Sequence, residues 1–156
     1  MKGSSDIVGL LNDQLRGELT AINQYFLHAS MYRNWGYQRL HKKMYEESIE
    51  EMKHADALID RILFLEGTPR MTDALKISIG KTPREMLEND LKLESEGLPD
   101  LRKGIAACLE LGDNVTRTLL EKIMVDSEEH VHWLESQLLL VKQVGIENYC
   151  AQQINE

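Results

Sequence analysis

Glutamate and histidine recur along the sequence at spacings that place them on one face of a helix. Glu51 and His54 lie three residues apart, so a helix would direct a carboxylate and an imidazole to the same side. Glu18 and Glu94 each stand between apolar residues that lie three and four positions away. Clustered buried carboxylates are costly unless protons or cations compensate their charge. The pattern therefore predicts a metal centre, most simply a metal pair, inside a helical protein.

The last helical stretch offers two histidines, and their periodicity distinguishes them. His130 follows Ile123 by seven residues and precedes Leu134 by four, whereas His132 is in line with polar positions. We therefore expect His130 to face inward and His132 to face solvent. The predicted ligand set is Glu18, Glu51, His54, Glu94 and His130. Carboxylates with two imidazoles suit iron, manganese or zinc, and carboxylate bridging of two ions suits redox chemistry with oxygen.

Four long helices are predicted to position these side chains. Apolar residues recurring every three or four positions predict helices over about 5–33, 38–66, 83–111 and 114–144, with a short helix in the tail. Thr82 and Glu85 form a capping box at the start of the third helix. The connection before it is long enough to cross the molecule. Two short loops flanking one long connection predict an all-α, ferritin-like four-helix bundle with a long crossover and a short C-terminal fifth helix.

Length and composition exclude several classes of protein. The 156 residues suit one domain, so residues 1–156 are predicted to form a single ferritin-like domain. A net charge of -8 argues against nucleic acid or an anionic membrane as the main partner. We expect a cytoplasmic location, because the sequence contains neither a signal-peptide core nor a membrane-length apolar run. Cys108 and Cys150 form no metal or redox motif and are expected to be free thiols.

The whole sequence resembles the bacterioferritins, the haem-containing ferritin family. The resemblance rests on segments that occur in family order: MKG (1–3), ELTAINQYFLH (18–28), WG (35–36), ESIEEMKHAD (47–56), RILFLEG (61–67), EEH (128–130), WLE (133–135) and GIENY (145–149). It implies iron storage and detoxification by a hollow shell of 24 subunits. Such a shell oxidises Fe(II) at a di-iron site inside each bundle, stores ferric mineral in its interior and binds haem b between pairs of subunits.

The resemblance assigns the candidate ligands, with one departure. Glu18, Glu51, His54, Glu94 and His130 match five of the six di-iron ligands of the family. The sixth, a bridging glutamate, is replaced by Ser127, whose hydroxyl carries no charge near neutral pH and offers one oxygen. This puts ferroxidase activity in question and leaves assembly untouched. Asp126 is an alternative carboxylate, although its short side chain disfavours an inward orientation.

Met52 follows Glu51 and is rotated by about 100° on a helix, so it faces the flank of the bundle. A flanking methionine by itself indicates interface packing. The resemblance instead implies that Met52 is the axial haem ligand, supplied by two copies across a two-fold axis. It also implies two candidate partners, namely a second bacterioferritin subunit and a ferredoxin-type reductant.

Two functions therefore stay open. One is an iron-storage subunit with ferroxidase activity, an Fe(II):oxygen or Fe(II):peroxide oxidoreductase, whose rate Ser127 puts in question. The other is a haem-binding subunit with an impaired ferroxidase centre that co-assembles with a ferroxidase-competent subunit. We also expect His28 and His41 at the helix surface or at an interface. Glu46, Glu47 and Glu50 are expected to face solvent or the shell cavity.

Overall fold

Five α-helices make up the regular secondary structure of the computed structural model, which describes residues 1–156. They are α1 (Ser5–Asn34), α2 (Gln38–Phe64), α3 (Pro83–Leu111), α4 (Asn114–Val144) and α5 (Ile146–Ala151). The first four pack as a bundle, and α5 packs against the end of α4. The predicted ferritin-like four-helix bundle with a short fifth helix is confirmed. None of the helices combines the length and apolarity needed to span a membrane.

The start of α3 follows the predicted capping chemistry with one difference. The Thr82 hydroxyl accepts a hydrogen bond from the backbone N–H of Glu85 at 3.2 Å, and Pro83 occupies the first turn. The Glu85 carboxylate accepts from the N–H of Lys81 at 3.1 Å, one residue earlier than a capping box requires. Two backbone donors at the end of the crossover are thereby satisfied, which fixes where α3 begins.

The end of α2 differs from the prediction that this helix continues to Glu66 and stops at Gly67. The helix ends at Phe64, and Glu66 adopts the left-handed backbone conformation with φ of 63°. The N–H of Gly67 then donates to the carbonyl of Ile62 at 2.9 Å, which closes the last turn. Gly67 is needed for a different reason, because a Cβ there would lie 2.6 Å from Val8 Cγ1.

The crossover, residues 65–82, runs alongside α1 and is held by polar side chains of that helix. The contacts are Asn12 with Thr68 and Arg70, Gln24 with Ser78, and His28 with Gly80, at 2.8 to 3.1 Å. Because these contacts advance in the same order along both segments, the crossover runs parallel to α1. It therefore delivers α3 antiparallel to α1 and parallel to α2.

The apolar core is divided into two clusters along the bundle. One cluster includes Tyr25, Tyr32, Leu40, Met44, Met86, Leu87, Leu134 and Val141. The other includes Ile7, Leu11, Leu15, Leu58, Ile62, Leu101, Leu120 and Ile123. Each cluster contains residues from all four long helices, so each packs the four helices together at one end of the bundle. Between the two clusters along the helices lie the buried residues Glu18, Glu51, His54, Glu94 and His130.

A buried network around Asp90 joins α1, α3 and the crossover. The Asp90 carboxylate is fully buried and accepts from His28 Nδ1 at 2.9 Å and from Gln24 Nε2 at 2.8 Å. The other nitrogen of His28 accepts from the N–H of Gly80, so the ring proton lies on Nδ1. The prediction of a surface position for His28 is wrong, because its ring satisfies both a buried carboxylate and the crossover backbone.

We expect His28→Ala to destabilise the protein by about 3 kcal/mol, because it leaves a buried carboxylate short of a donor and frees the end of the crossover. His41→Ala is the matched control. His41 is half-buried and its Nδ1 makes a single 2.8 Å bond to the carbonyl of Ala29, so its loss should cost about 1 kcal/mol. Urea unfolding at fixed protein concentration measures both values, and equal costs would contradict the role given to His28.

Candidate metal centre

Side chains from four helices converge in the layer between the two apolar clusters. The five predicted residues, Glu18 on α1, Glu51 and His54 on α2, Glu94 on α3 and His130 on α4, are all at most 7% exposed. His130 thus faces inward and His132 is exposed, as the periodicity predicts. Buried ionisable groups of this number are rare without pairing or a cation. Their placement fits the donor chemistry of a metal centre.

Glu18, Glu51 and His54 form one half of the centre, and their ligand atoms lie within 4.8 Å of one another. The Nδ1 atom of His54 is 3.5 Å from Glu18 Oε2 and 3.3 Å from Glu51 Oε2. The side-chain amide of Gln14 donates to Glu18 Oε1 at 2.9 Å. One carboxylate oxygen is thereby fixed, so Glu18 is oriented before any cation arrives.

Asp126 contacts this half from its rim. Its Oδ2 atom is 2.8 Å from His54 Nε2 and 3.2 Å from Lys122 Nζ. Because a carboxylate only accepts, Nε2 carries the proton and Nδ1 is directed to the centre. A histidine that binds metal through one nitrogen and a carboxylate through the other is a common arrangement. Asp126 does turn inward, but it reaches the outer side of His54 instead of taking the position of the missing bridge.

Glu94 and His130 form the other half. The Oε1 atom of Glu94 lies 3.0 Å from His130 Nδ1 and accepts the hydroxyl of Tyr25 at 2.7 Å. The Tyr25 ring packs edge-on against the His130 ring, with centroids 5.2 Å apart, and Trp133 stacks on its other side. Ser127 is buried nearby and contributes a hydroxyl where the other helices contribute acids. This half therefore has one carboxylate fewer than the family pattern.

Glu47 is a further acidic residue at the centre, and the prediction that it faces solvent or cavity is only partly right. Its side chain is 15% exposed, and its Oε2 atom lies 3.6 Å from His130 Nδ1. The ligand atoms of Glu47, Glu51 and His130 all lie within 4.8 Å of one another. The signal was present in the sequence, because Glu47 precedes Glu51 by four residues and so shares its helical face. Glu46, by contrast, is exposed.

Mutual proximity shifts the pKa values of the carboxylates in opposite directions. Burial raises the pKa of Glu51 well above its usual range, and the neighbouring acids Glu18 and Glu94 raise it further. Burial also acts to raise the pKa of Glu94, but hydrogen bonds from His130 and Tyr25 outweigh that effect and lower it. Glu51 therefore holds a proton most readily, and it is the acid shared by both halves.

The pKa values of both histidines are raised in spite of their burial. Burial alone would lower the pKa of His54, but its contacts with Glu18 and Asp126 raise it to about 9. Burial also opposes the raised pKa of His130, which its contacts with Glu94 and Glu47 produce. Protons on these rings compensate the carboxylates in the metal-free protein. A cation would replace those protons, so its binding is coupled to proton release.

A cavity of about 180 Å³ opens beside the centre and is lined in part by Glu18, Glu51, Glu94, Tyr25 and Ser127. Its polar lining consists mainly of carboxylates with a phenol and a hydroxyl. Oxygen donors of this kind, together with two imidazole nitrogens, suit divalent iron, manganese or zinc. The arrangement thus offers both the donor set and space for cations.

Met52 lies outside the bundle on the α1–α2 face, with half of its surface exposed. The side chains of Phe26 and Tyr45 are exposed on the same pair of helices, with ring centroids 6.1 Å apart. Met52 follows Tyr45 by seven residues and therefore shares its side of α2. The thioether is thus available at an apolar surface away from the buried centre.

We expect the metal-free protein to lose stability between about pH 6.5 and pH 9. The folded-state pKa of His54, about 9, lies above its ordinary value of 6.5. The corresponding stabilisation is fully present below pH 6.5 and is lost as the pH rises through 9. The loss should be on the order of 2 kcal/mol per subunit, read from urea unfolding at fixed protein concentration.

Asp126→Asn should make this pH dependence shallower, because it removes one of the two contacts that raise the pKa of His54. Asp60→Asn, at an exposed position on the same helix as His54, is the control and should leave the slope unchanged. A metal-free protein equally stable at pH 6.5 and pH 9 would contradict the proton balance described above.

Known proteins match the chain along nearly its whole length. Residues 8–144 match the ferritin family, described as a ferritin-like domain. The chain is 48% identical over 152 residues to the "Bacterioferritin" of Mycobacterium leprae, a match that covers 97% of this chain and 96% of that protein. It is 48% identical over 155 residues to a "Bacterial ferritin" of Pseudomonas aeruginosa, covering 99% and 100%. A "Bacterial ferritin" of Synechocystis sp. is 43% identical over 156 residues, covering 99% and 100%. With this fold and this buried centre, the chain belongs to the bacterioferritin family.

Proposed function

We propose that the chain is a subunit of an iron-storage protein and that its buried centre oxidises Fe(II). The observation that carries this proposal is the convergence of Glu18, Glu51, His54, Glu94 and His130, all buried and contributed by four helices. A purely structural core would place apolar side chains here, because replacing buried ion pairs by apolar residues is often neutral or stabilising. The retained charges point to a cation that compensates them.

The five buried residues would form two cation positions. Glu18, Glu51 and His54 would hold one ion, and Glu94 and His130 would hold a second, with Glu51 between them. Asp126 keeps the proton of His54 on Nε2 and so leaves Nδ1 free for metal. Tyr25 donates to Glu94 and keeps the second oxygen of that carboxylate available. Bound iron supplies the electron transfer from Fe(II) to oxygen or peroxide.

Ser127 should make the two positions unequal. The first position keeps two carboxylates and an imidazole, whereas the second keeps one of each within the family ligand set. A shared negative charge between the ions is missing, so the second ion should bind more weakly and oxidation should be slower than with six ligands.

We expect Ser127→Glu to tighten the second position and to speed the fast phase of Fe(II) oxidation by about 10-fold or more, because the added carboxylate restores the shared charge. Stopped-flow absorbance of the purified homopolymer measures the rate. Ser136→Glu, a partly exposed position on the same helix, is the matched control.

Equal rates in the parent and in Ser127→Glu would show that another group already supplies the bridge or that oxidation occurs elsewhere. Complete inactivity of the parent homopolymer, with activity gained in Ser127→Glu, would favour the second candidate function. In that case the chain is a haem-binding subunit that depends on a ferroxidase-competent partner.

We also propose that the chain assembles into a 24-subunit shell and that this shell binds haem b at its two-fold interfaces. Met52 supports both proposals, because its half-exposed thioether and the exposed rings of Phe26 and Tyr45 leave apolar surface on the same pair of helices, which favours a partner. A single chain offers one thioether at this place, so two Met52 side chains related by a two-fold axis would hold the haem iron. Methionine ligation raises the reduction potential of haem iron, so bound haem would readily accept electrons from a ferredoxin-type reductant.

We expect Met52→Leu to abolish the six-coordinate haem spectrum and to leave the shell intact, because leucine keeps the apolar volume and lacks the thioether. Absorbance of haem-reconstituted protein and size-exclusion chromatography read the two properties separately. Met124→Leu, a partly buried methionine on α4, is the control for loss of any thioether. An unchanged spectrum in Met52→Leu would refute the ligand assignment, and a species of one or two subunits would refute the shell.

A further inference from the structure

We infer that Glu47 is an additional metal ligand of this chain, which supplies to the second ion the carboxylate that Ser127 cannot. The inference rests on the proposed di-metal centre and adds a residue outside the five predicted ligands. It assigns the missing negative charge to α2 instead of α4.

The position of Glu47 on α2 brings its carboxylate close to the second half of the centre. Glu47 lies one helical turn before Glu51 on α2, so both carboxylates reach the same layer of the bundle. Its Oε2 atom is 3.6 Å from His130 Nδ1, the same nitrogen that lies 3.0 Å from Glu94 Oε1. A cation that replaces the proton on this nitrogen would therefore meet carboxylates from both sides. The ligand atoms of Glu47, Glu51 and His130 already lie within 4.8 Å of one another.

The nearest alternative carboxylate, that of Asp126, already makes contacts with other side chains. Asp126 accepts from His54 Nε2 at 2.8 Å and from Lys122 Nζ at 3.2 Å, and both contacts use its Oδ2 atom. To bind the second ion, its Oδ2 atom would have to give up two charge-assisted contacts. Ser127 is buried but brings a neutral hydroxyl, which compensates no cation charge. Glu47 is the remaining acid within reach of His130.

The His130 ring is shielded from solvent and directs its Nδ1 atom toward Glu94 and Glu47. The ring is 2% exposed, and its Nε2 atom has no hydrogen-bond partner in the protein. Tyr25 packs edge-on against the ring and Trp133 stacks with it, while its Nδ1 lies 3.0 Å from Glu94 Oε1 and 3.6 Å from Glu47 Oε2. The imidazole is therefore held ready for one coordination direction.

Lys43 keeps Glu47 in place when no cation is bound. Its Nζ atom lies 2.9 Å from Glu47 Oε1 and 5.0 Å from the centroid of Trp133. The ammonium group pairs with one oxygen and leaves Oε2 facing His130. A divalent ion at Nδ1 attracts this carboxylate more strongly than a single ammonium does, and a shift of the flexible glutamate side chain brings it into coordination distance.

The test uses Co(II) as the probe, with anomalous diffraction from cobalt-soaked crystals and calorimetric titration of the metal-free shell. The parent should show cobalt at both positions, with a Glu47 oxygen on the ion that His130 binds. Glu47→Gln should weaken the second position by about 10-fold or more and leave the first unchanged. Glu129→Gln is the control, because Glu129 lines the same surface depression but is exposed.

A rescue variant separates a ligand from a merely structural residue. Adding Ser127→Glu to Glu47→Gln should restore cobalt at the second position, since a carboxylate then returns from α4. Circular dichroism and shell size establish that each variant is folded. Unchanged cobalt affinity and occupancy in Glu47→Gln would overturn the inference and leave the proposed centre standing. Absence of cobalt from both positions in the parent would overturn the proposed di-metal centre itself.

Discussion

The structure depends on one costly arrangement, the burial of several carboxylates in the middle of a helical bundle. Taking such groups out of water costs several kcal/mol each after relaxation, and their mutual repulsion adds to that cost. In the metal-free protein, protons retained by His54, His130 and Glu51 offset it, as their raised pKa values indicate. In the proposed metal centre, a divalent cation would take the place of these protons, so the same groups would serve the metal-free and the metal-bound protein.

Such a layer is tolerated because the rest of the bundle holds it from both ends. Each apolar cluster draws on all four long helices, so apolar packing holds the helices together on both sides of the acids. The crossover adds a lateral constraint, since Asn12, Gln24 and His28 fix it along α1, and the Asp90 network ties α3 to the same helix. Glu94 lies one turn after Asp90, so the contacts that secure the crossover also fix the position of this proposed metal ligand.

The sequence predicted the helices and the five buried residues because both follow from periodicity, which is a local property of the chain. Glu18 and Glu94 stood out as acids inside apolar stripes, and His130 was separated from His132 by its register. Periodicity does not predict which side chains of different helices contact one another. The partnership of His54 with Asp126 and that of His28 with Asp90 depend on which helix faces which and on side-chain direction. The predicted end of α2 was wrong for a related reason. Glu66, and not Gly67, adopts the left-handed backbone conformation, and a glycine is needed at position 67 because Val8 lies too close for a Cβ there.

Moving a carboxylate from α4 to α2 changes more than the identity of a ligand. A glutamate at position 127 would lie inside the bundle, in the polar cavity shared with Glu18, Glu51 and Glu94, with no cation of the protein to compete for it. Glu47 lies nearer the rim and is paired with Lys43, which itself packs over Trp133. In the proposed coordination, an ion held there would have to displace an ammonium group on arrival and would return the carboxylate to it on leaving. The pairing of Glu47 with Lys43 therefore supports a proposed second position that binds its ion more weakly and more reversibly than the first.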